Sequence, residues 1–401
     1  MMDNYKSSNM QRKSPYGEQP SKNDISKDKK VNLDKIRIIR SAKSWIEGSA
    51  VQQLERIAGL QGVTAVVGLP DLHPGKGFPI GAAFAARDWI YPFYVGNDIG
   101  CGISLWQLDL KHRKAKKEKL VKRLETFESQ DISDQIAPLP EGGLTRNFLK
   151  DLGTIGGSNH FAELQVVEQV FNQTLFDELA LDKERLMLVV HSGSRSLGES
   201  ILRGYVDQHR DQGVTADSPE GQDYLDRHNA AIEFAEQNRM LIAQRVLMAL
   251  GTSGSRVTDT CHNCIAEGMK GGQRVWIHRK GAARSDQGAV IIPGSRGTLS
   301  YLVMPIGDQK GNLWSIPHGA GRKFGRNDIK ARLKGKISKD QLRQTRIGGQ
   351  VICDDNELLF EEAPEGYKDI DRVVNDMIEA GIVEIIATLK PVVTYKKWTG
   401  R

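Results

Sequence analysis

Cysteine and histidine are scarce in this chain, four and nine in 401 residues. Four cysteines make no disulfide framework. Prolines number only 14 and the 41 glycines follow no Gly-X-Y period, which excludes a collagen-like or a Pro/Gly low-complexity chain. Neither a run of ~18 apolar residues nor the apolar core of an amino-terminal leader is found. A soluble, intracellular, cytoplasmic and reduced protein is therefore expected. No Gly-x-x-x-x-Gly-Lys-Ser/Thr occurs, so a nucleoside triphosphate, if used, needs a cradle other than a Walker loop. The charge excess is small, 56 − 50 = +6 with a pI near 9.0, which is compatible with a polyanionic partner without singling one out.

Residues 1–30 hold almost no large aliphatic side chain and read as a disordered polar tail, because they cannot bury enough surface to offset ordering entropy. From Val31 onward apolar content is steady and no linker interrupts it, so residues 31–401 are expected to form one large domain. Helical spacing is read over Ser49–Leu60, with Ser49 as a cap, over Tyr224–Leu250 and over Asp369–Ala380. Strands are read at Thr64–Val67, Ile103–Leu108, Leu186–Val190, Val275–His278, Ala289–Ile292 and Ile382–Ala387. The fold class is thus α+β, with mixed sheets flanked by helices.

Several of these strands end in glycine-rich segments that carry a histidine or a cysteine, where functional loops of mixed folds sit. Pro70–Gly75, Gly96–Gly102, Gly156–His160, His191–Arg195 and His318–Arg322 are of this kind, and Cys261–Cys264 offers the same donors without a glycine. Asp98, Cys101, His160, His191 and His262 offer carboxylate, thiolate and imidazole donors for one crowded metal site or two neighbouring ions. The bland alternative is that each histidine is a satisfied core or surface residue. Cys261 and Cys264 form a Cys-x-x-Cys but open no thioredoxin-like helix, so they read as packing residues beside His262. Gly294–Ser300 offers amides, hydroxyls and Arg296 to a phosphate or a base, a composition equally common in turns. His318, followed by Gly319, Ala320 and Gly321, has an open face and suits attack on phosphorus if an acceptor such as Asp71 holds its other nitrogen. Spacing does not choose between that and a tight turn. The basic run Lys111–Arg123 is either a solvated helix face or a phosphate-backbone contact, and lacks aromatics for base stacking.

Taken in order, Pro70-Asp71-Leu72-His73-Pro74-Gly75, Asp98-Ile99-Gly100-Cys101-Gly102, Asn159-His160-Phe161, His191-Ser192-Gly193-Ser194-Arg195, His262-Asn263, His278-Arg279-Lys280-Gly281-Ala282, Pro293-Gly294-Ser295, His318-Gly319-Ala320-Gly321-Arg322 and Tyr367-Lys368-Asp369 resemble the RtcB family of RNA ligases from about Val63 to Lys396. The resemblance implies a GTP- and Mn²⁺-dependent enzyme that joins RNA 3′-phosphate or 2′,3′-cyclic phosphate ends to 5′-hydroxyl ends. It implies two Mn²⁺ ions on Asp98, Cys101, His160, His191 and His262, with Cys101 bridging, and guanylylation of His318 oriented by Asp71. Asn159, Glu163, Ser295, Ser300, Gly319, Ala320, Gly321, Tyr367 and Lys396 match nucleotide-pocket positions, and Arg195 a position expected to meet RNA phosphate. The chain departs from the family in a short stretch between Gly102 and Gly153, in Arg296 where Met is commoner, and in Gly156-Gly157-Ser158 in place of Gly-Ser-Gly. A compact variant serving RNA repair is the expectation. A metal-dependent phosphodiesterase or phosphatase without a nucleotide intermediate, and a catalytically silent RNA-binding protein, are the alternatives.

Overall fold

The computed structural model describes residues 33–132 and 144–397; the tail read at residues 1–30 lies outside them. Among the described residues the chain runs β1 (Ile36–Ile38), α1 (Gly48–Ala58), β2 (Val63–Pro74), β3 (Pro79–Ala86), β4 (Trp89–Ile90), β5 (Gly102–Lys111), α2 (Lys117–Leu124), β6 (Phe161–Val170), α3 (Gln173–Glu178) and β7 (Arg185–Ser192). It continues through α4 (Ser196–His209), β8 (Val214–Thr215), α5 (Pro219–Leu250), β9 (Gly254–Cys261), β10 (Asn263–Lys270), β11 (Gln273–Lys280), β12 (Ala282–Arg284), β13 (Val290–Ile292), β14 (Ser300–Pro305) and β15 (Ser315–Pro317). The last elements are α6 (Arg326–Leu333), α7 (Lys339–Arg343), β16 (Gln350–Cys353), α8 (Asn356–Glu361), α9 (Ile370–Glu379) and β17 (Val383–Lys397). This is an α+β fold.

Two sheets carry the architecture. One has the order β1-β2-β3-β11-β10 and is parallel only between β1 and β2. The larger has the order β13-β14-β17-β6-β7-β5-β9, antiparallel along that path, with β16 added in parallel beside β17. Its edges nearly meet, since Thr258 Oγ1 on β9 donates to the carbonyl of Ala289, next to β13, at 2.7 Å. The result is a nearly closed barrel.

Period-two alternation sorts its side chains into two cores. Ile103 and Leu105 of β5, Met187 and Val189 of β7, and Ala387 and Leu389 of β17 form one cluster inside the barrel. Trp106 and Leu108, with Leu186, Leu188 and Val190, face outward onto Ile242, Ala243 and Val246 of α5. Burying each of the larger side chains contributes ~1.5–3 kcal/mol, so these strands are held from both faces. Beneath the five-stranded sheet, Val67, Leu69, Ala83 and Ala85 share a third cluster with Val373, Val374 and Met377 of α9 and with Val290 and Val303 of the barrel.

Boundaries differ from the sequence reading for local reasons. The first helix is capped at Glu47, and Ser49, expected as the cap, lies inside it with its hydroxyl donating to the Glu47 carboxylate at 2.6 Å. The long helix starts earlier, at Pro219, because Ser218 caps it by accepting from the Gly221 N–H. The last strand runs past Ala387 to Lys397 and tolerates Pro391 where the register with β6 shifts. The basic run at Lys111–Arg123 becomes a short turn and α2, whose Leu120, Val121 and Leu124 are buried. No helix among the described residues is long and apolar enough to cross a membrane.

Candidate metal and nucleotide centre

Strand register gathers the chemistry. Gly102, the first residue of β5, faces Ser192 at the end of β7 and Cys261 at the end of β9, while Phe161 at the start of β6 faces His191. Residues just outside or at these strand ends therefore meet at one mouth of the barrel: Asp98 and Cys101 before β5, His160 before β6, His191 in β7 and His262 between β9 and β10. Cys101 Sγ lies 3.4 Å from His160 Nε2 and 3.3 Å from His191 Nε2. Asp98 Oδ2 is 2.8 Å from His160 Nε2, and His191 Nε2 is 3.3 Å from His262 Nε2. The His262 and His318 rings follow with centroids 4.9 Å apart, and His318 Nδ1 is 2.7 Å from Asp71 Oδ2. All five sequence-proposed ligands, the proposed nucleophile and its proposed partner thus form one continuous line.

The donor set fits a divalent cation. Cys101, His160 and His191 present ligand atoms within 4.8 Å of one another. His160 Nδ1 lies 3.1 Å from the Ile155 carbonyl, a bond it can make only as donor, which leaves the Nε2 lone pair for a ligand. Burial drives His191 and His262 well below the ordinary imidazole range, so both are neutral bases. Burial opposes ionisation of Asp98, yet adjacent His160, with help from Lys280, holds its carboxyl far below the usual range. Burial and then Asp98 push the Cys101 thiol up; a bound cation reverses that balance and deprotonates a coordinating thiol. Three buried atoms along the line, Asp98 Oδ1, His262 Nδ1 and Asp71 Oδ1, have no hydrogen-bond partner among the described residues. Gly193 is needed beside Asp98, since a Cβ there would sit 2.2 Å from Oδ1.

A second buried cluster adjoins the first across Phe161, whose ring is 5.5 Å from that of His191 and 5.8 Å from Lys396 Nζ. Its hub is Glu362, which receives Arg322 and the Tyr367 hydroxyl in short hydrogen bonds and lies 3.6 Å from Lys396 Nζ. Although burial disfavours its charge, Lys396 and Arg322 bring Glu362 down to about 2. Inside the barrel mouth Glu163 accepts from Gln165 and Thr394, and Gln165 also donates to Ser300 Oγ at 2.9 Å. Burial raises Glu163 to about 6.

Of the remaining sequence-proposed residues, Asn159 adjoins His160 and accepts from Ser158 at 3.2 Å. Gly319 and buried Ala320 follow His318, and Gly321 (φ +71°) lies where a Cβ would come 2.2 Å from the Asp71 carbonyl. Ser295 bonds only locally, to Thr298, and Arg195 reaches back toward Thr154 Oγ1 at 3.5 Å. Arg296, the departure from Met, is buried and donates to the Leu359 carbonyl. Cys261 and Cys264 are buried free thiols at a strand-to-strand turn.

Sequence reasoning missed several supports. Buried Arg239 pairs with Asp259 and donates to the Gly100 and Ser192 carbonyls at 2.8 and 3.0 Å, tying together the strand ends that carry Cys101 and His191. Asn263 Nδ2 donates to the Asp98 carbonyl at 3.0 Å. Glu362 belongs to no motif; its only signal is a buried carboxylate among cations. His73, His228 and His278 are satisfied core residues, bonded to Asp71 O, the Ile265 N–H and the Tyr91 N–H.

The family model described as tRNA-splicing ligase RtcB matches residues 53–140 and 141–397. The chain is similar to RNA-splicing ligase RtcB2 of Escherichia coli, with 44% identity over 371 residues covering 92% of this chain and 97% of that protein. It is also similar to the tRNA-splicing ligases RtcB of Archaeoglobus fulgidus, at 28% identity over 88% of this chain and 92% of that protein, and Thermococcus kodakarensis, at 29% over 85% and 89%. With both the model and the bacterial relative matching almost from end to end, the chain belongs to the RtcB family of RNA ligases.

Proposed function

We propose that the protein is a GTP- and Mn²⁺-dependent ligase that joins RNA 3′-phosphate or 2′,3′-cyclic phosphate ends to 5′-hydroxyl ends through a guanylylated His318. The observation that carries this reading is the line Asp71, His318, His262, His191, Cys101: an oriented imidazole set against a cation-binding shell. Asp71 holds the Nδ1–H of His318, leaving Nε2 as the nucleophile. Attack on the α-phosphorus of GTP forms the N–P bond and releases pyrophosphate. Transfer to the RNA 3′-phosphate forms an O–P bond, breaks the N–P bond and restores the imidazole. The 5′-hydroxyl oxygen, losing its proton, then attacks the 3′-phosphate and GMP leaves; a cyclic phosphate is first opened by water.

Asp98, Cys101, His160, His191 and His262 would hold two Mn²⁺ ions. When bound, these ions neutralise phosphate oxygens as charge develops on the leaving group. Thiolate and imidazole donors ordinarily favour zinc, so activity measured with each ion identifies the working metal. Asn159, Glu163, Ser295, Ser300, Gly319, Ala320, Gly321, Tyr367 and Lys396 would bind the nucleotide, and Arg195 an RNA phosphate. RNA repair, rather than tRNA splicing in particular, is the role we assign to this compact chain.

Incubation with α-labelled GTP and Mn²⁺ tests the reading. The expected result is an acid-labile label on the protein, absent from His318→Ala, with sealing of a 3′-phosphate/5′-hydroxyl RNA pair and none of a 5′-phosphate acceptor. Label retained by His318→Ala would overturn the nucleophile. Phosphate release from RNA ends without GTP would replace the reading with a metal-dependent phosphatase.

A further inference from the structure

The positive charge of this chain is concentrated. Residues 111–123 hold eight Lys or Arg against one Glu, a net +7, and residues 322–346 hold ten against two Asp, a net +8. With a total of +6, the rest of the chain is 6 − 7 − 8 = −9. The two segments are far apart in sequence and adjacent in space. Lys117 Nζ donates to the Gly348 carbonyl at 3.3 Å. Val121 and Glu125, from α2 and the residue after it, form one wall of a groove of about 380 Å³, whose other wall is Arg343 of α7 with β16 and Asn356.

The second segment opens an arm that leaves and returns at the nucleotide side of the centre, because its base is pinned by a bridge between Arg322 and Tyr367. Carboxylates of the arm's own second half satisfy the cations near that base: Glu362 takes Arg322, Glu357 takes Lys330 and Glu365 takes Arg346. Toward the tip, exposed Lys334, Lys336 and Lys339 have no ion-pair partner among the described residues, and on the facing segment the same holds for exposed Lys114, Lys116, Lys119 and Lys122. These lysines lie on the two segments whose Val121, Glu125 and Arg343 line the groove, which runs beside the strand end delivering Lys396, since β16 pairs with β17 there.

We propose that α2 and the α6–α7 arm form one phosphate-binding face that docks the backbone of double-helical RNA outside the ligation centre. This rests on the RNA ligase reading above. Lysines without ion-pair partners on two adjacent segments suit a polyanion, and each phosphate neutralised releases a condensed counterion. Phe324, the aromatic in these two segments, is half-buried and covered by the Arg332 guanidinium at 4.1 Å, so no base-stacking platform is offered. Recognition is then of the duplex backbone, where shape and phosphate contacts dominate.

Charge reversals on each wall test it in the full chain: Lys116→Glu with Lys119→Glu, and Lys334→Glu with Lys336→Glu. Fluorescence anisotropy with a labelled RNA stem–loop of about 20 base pairs, titrated between about 50 and 200 mM salt, is expected to show at least about a tenfold loss of affinity for each pair. The slope of log affinity against log salt should fall by about two. Guanylylation from α-labelled GTP and the thermal melt should stay at parental values. Parental RNA affinity in both variants would overturn the proposal, as would equal losses on an unstructured strand of the same length, or parental binding of polyglutamate as tight as of the duplex. A parent that takes no label from GTP, yet loses stem–loop binding on charge reversal, would count against guanylylation and leave the docking face standing.

Discussion

Phe161 separates two buried polar clusters that follow opposite rules. On one side Cys101 and three imidazoles crowd together, the burial-lowered His191 and His262 are neutral, and Asp98 Oδ1 and His262 Nδ1 have no partner. On the other side Glu362 serves both Arg322 and Lys396, so the cluster is tied together by its own ion pairs. A cluster tied by its own ion pairs holds a shape. One with unpartnered buried donors has lone pairs to offer a cation.

The contrast is tested first on the paired side. Glu362→Gln leaves Lys396 and Arg322 buried without their carboxylate, and breaking such a pair costs ~3–5 kcal/mol, so a marked drop in the urea midpoint is expected with or without metal. Cys101→Ala should do the reverse, melting like the parent in chelator but failing to gain the ~2.7 kcal/mol that Mn²⁺ at a hundredfold over its Kd gives the parent. If chelated Cys101→Ala were as unstable as Glu362→Gln, the distinction between the clusters would be lost.

Glu163 gives the smallest effect and depends on pH. Its folded value of about 6 lies above the ordinary 4.5, so the native state holds that proton more tightly. Stability from this group is fully present below pH 4.5 and is lost as pH rises through 6, a change on the order of 2 kcal/mol. Glu163→Gln should remove that slope from urea midpoints measured between pH 4.5 and 7. An unchanged slope would mean that Thr394 and Gln165 already hold the carboxylate ionised.

Much of the site was legible because its residues sit in short segments of small or polar residues at strand ends, where a histidine has no apolar face to pack on. The line from Asp71 to Cys101 could be assembled from such segments alone. Glu362 and Arg239 could not, since their meaning lies in contacts across long sequence separations that no spacing records. The fold divides in the same way. Strands with β-branched runs, such as Leu186–Val190, were readable, while Pro79–Ala86 and Phe161–Val170 were not. The first is built of glycine and alanine buried on both faces, and the second mixes inward Glu163 and Gln165 with outward Ala162 and Leu164, which blurs period two.

The position of β17 has a consequence for synthesis. The last strand of the chain is a central strand of the barrel, hydrogen-bonded to β14 on one side and β6 on the other. Until residues 383–397 emerge from the ribosome, β6 and β14 each present an unpaired edge, and the barrel is split between its first-made and later-made halves. A nascent chain stalled a few dozen residues early therefore has both edges free to pair with a neighbour, although Asp98, Cys101, His160, His191 and His262 have already been made. Lys396 arrives on the strand that closes the barrel, so Glu362 receives this cation only when β17 has paired with β6 and β14.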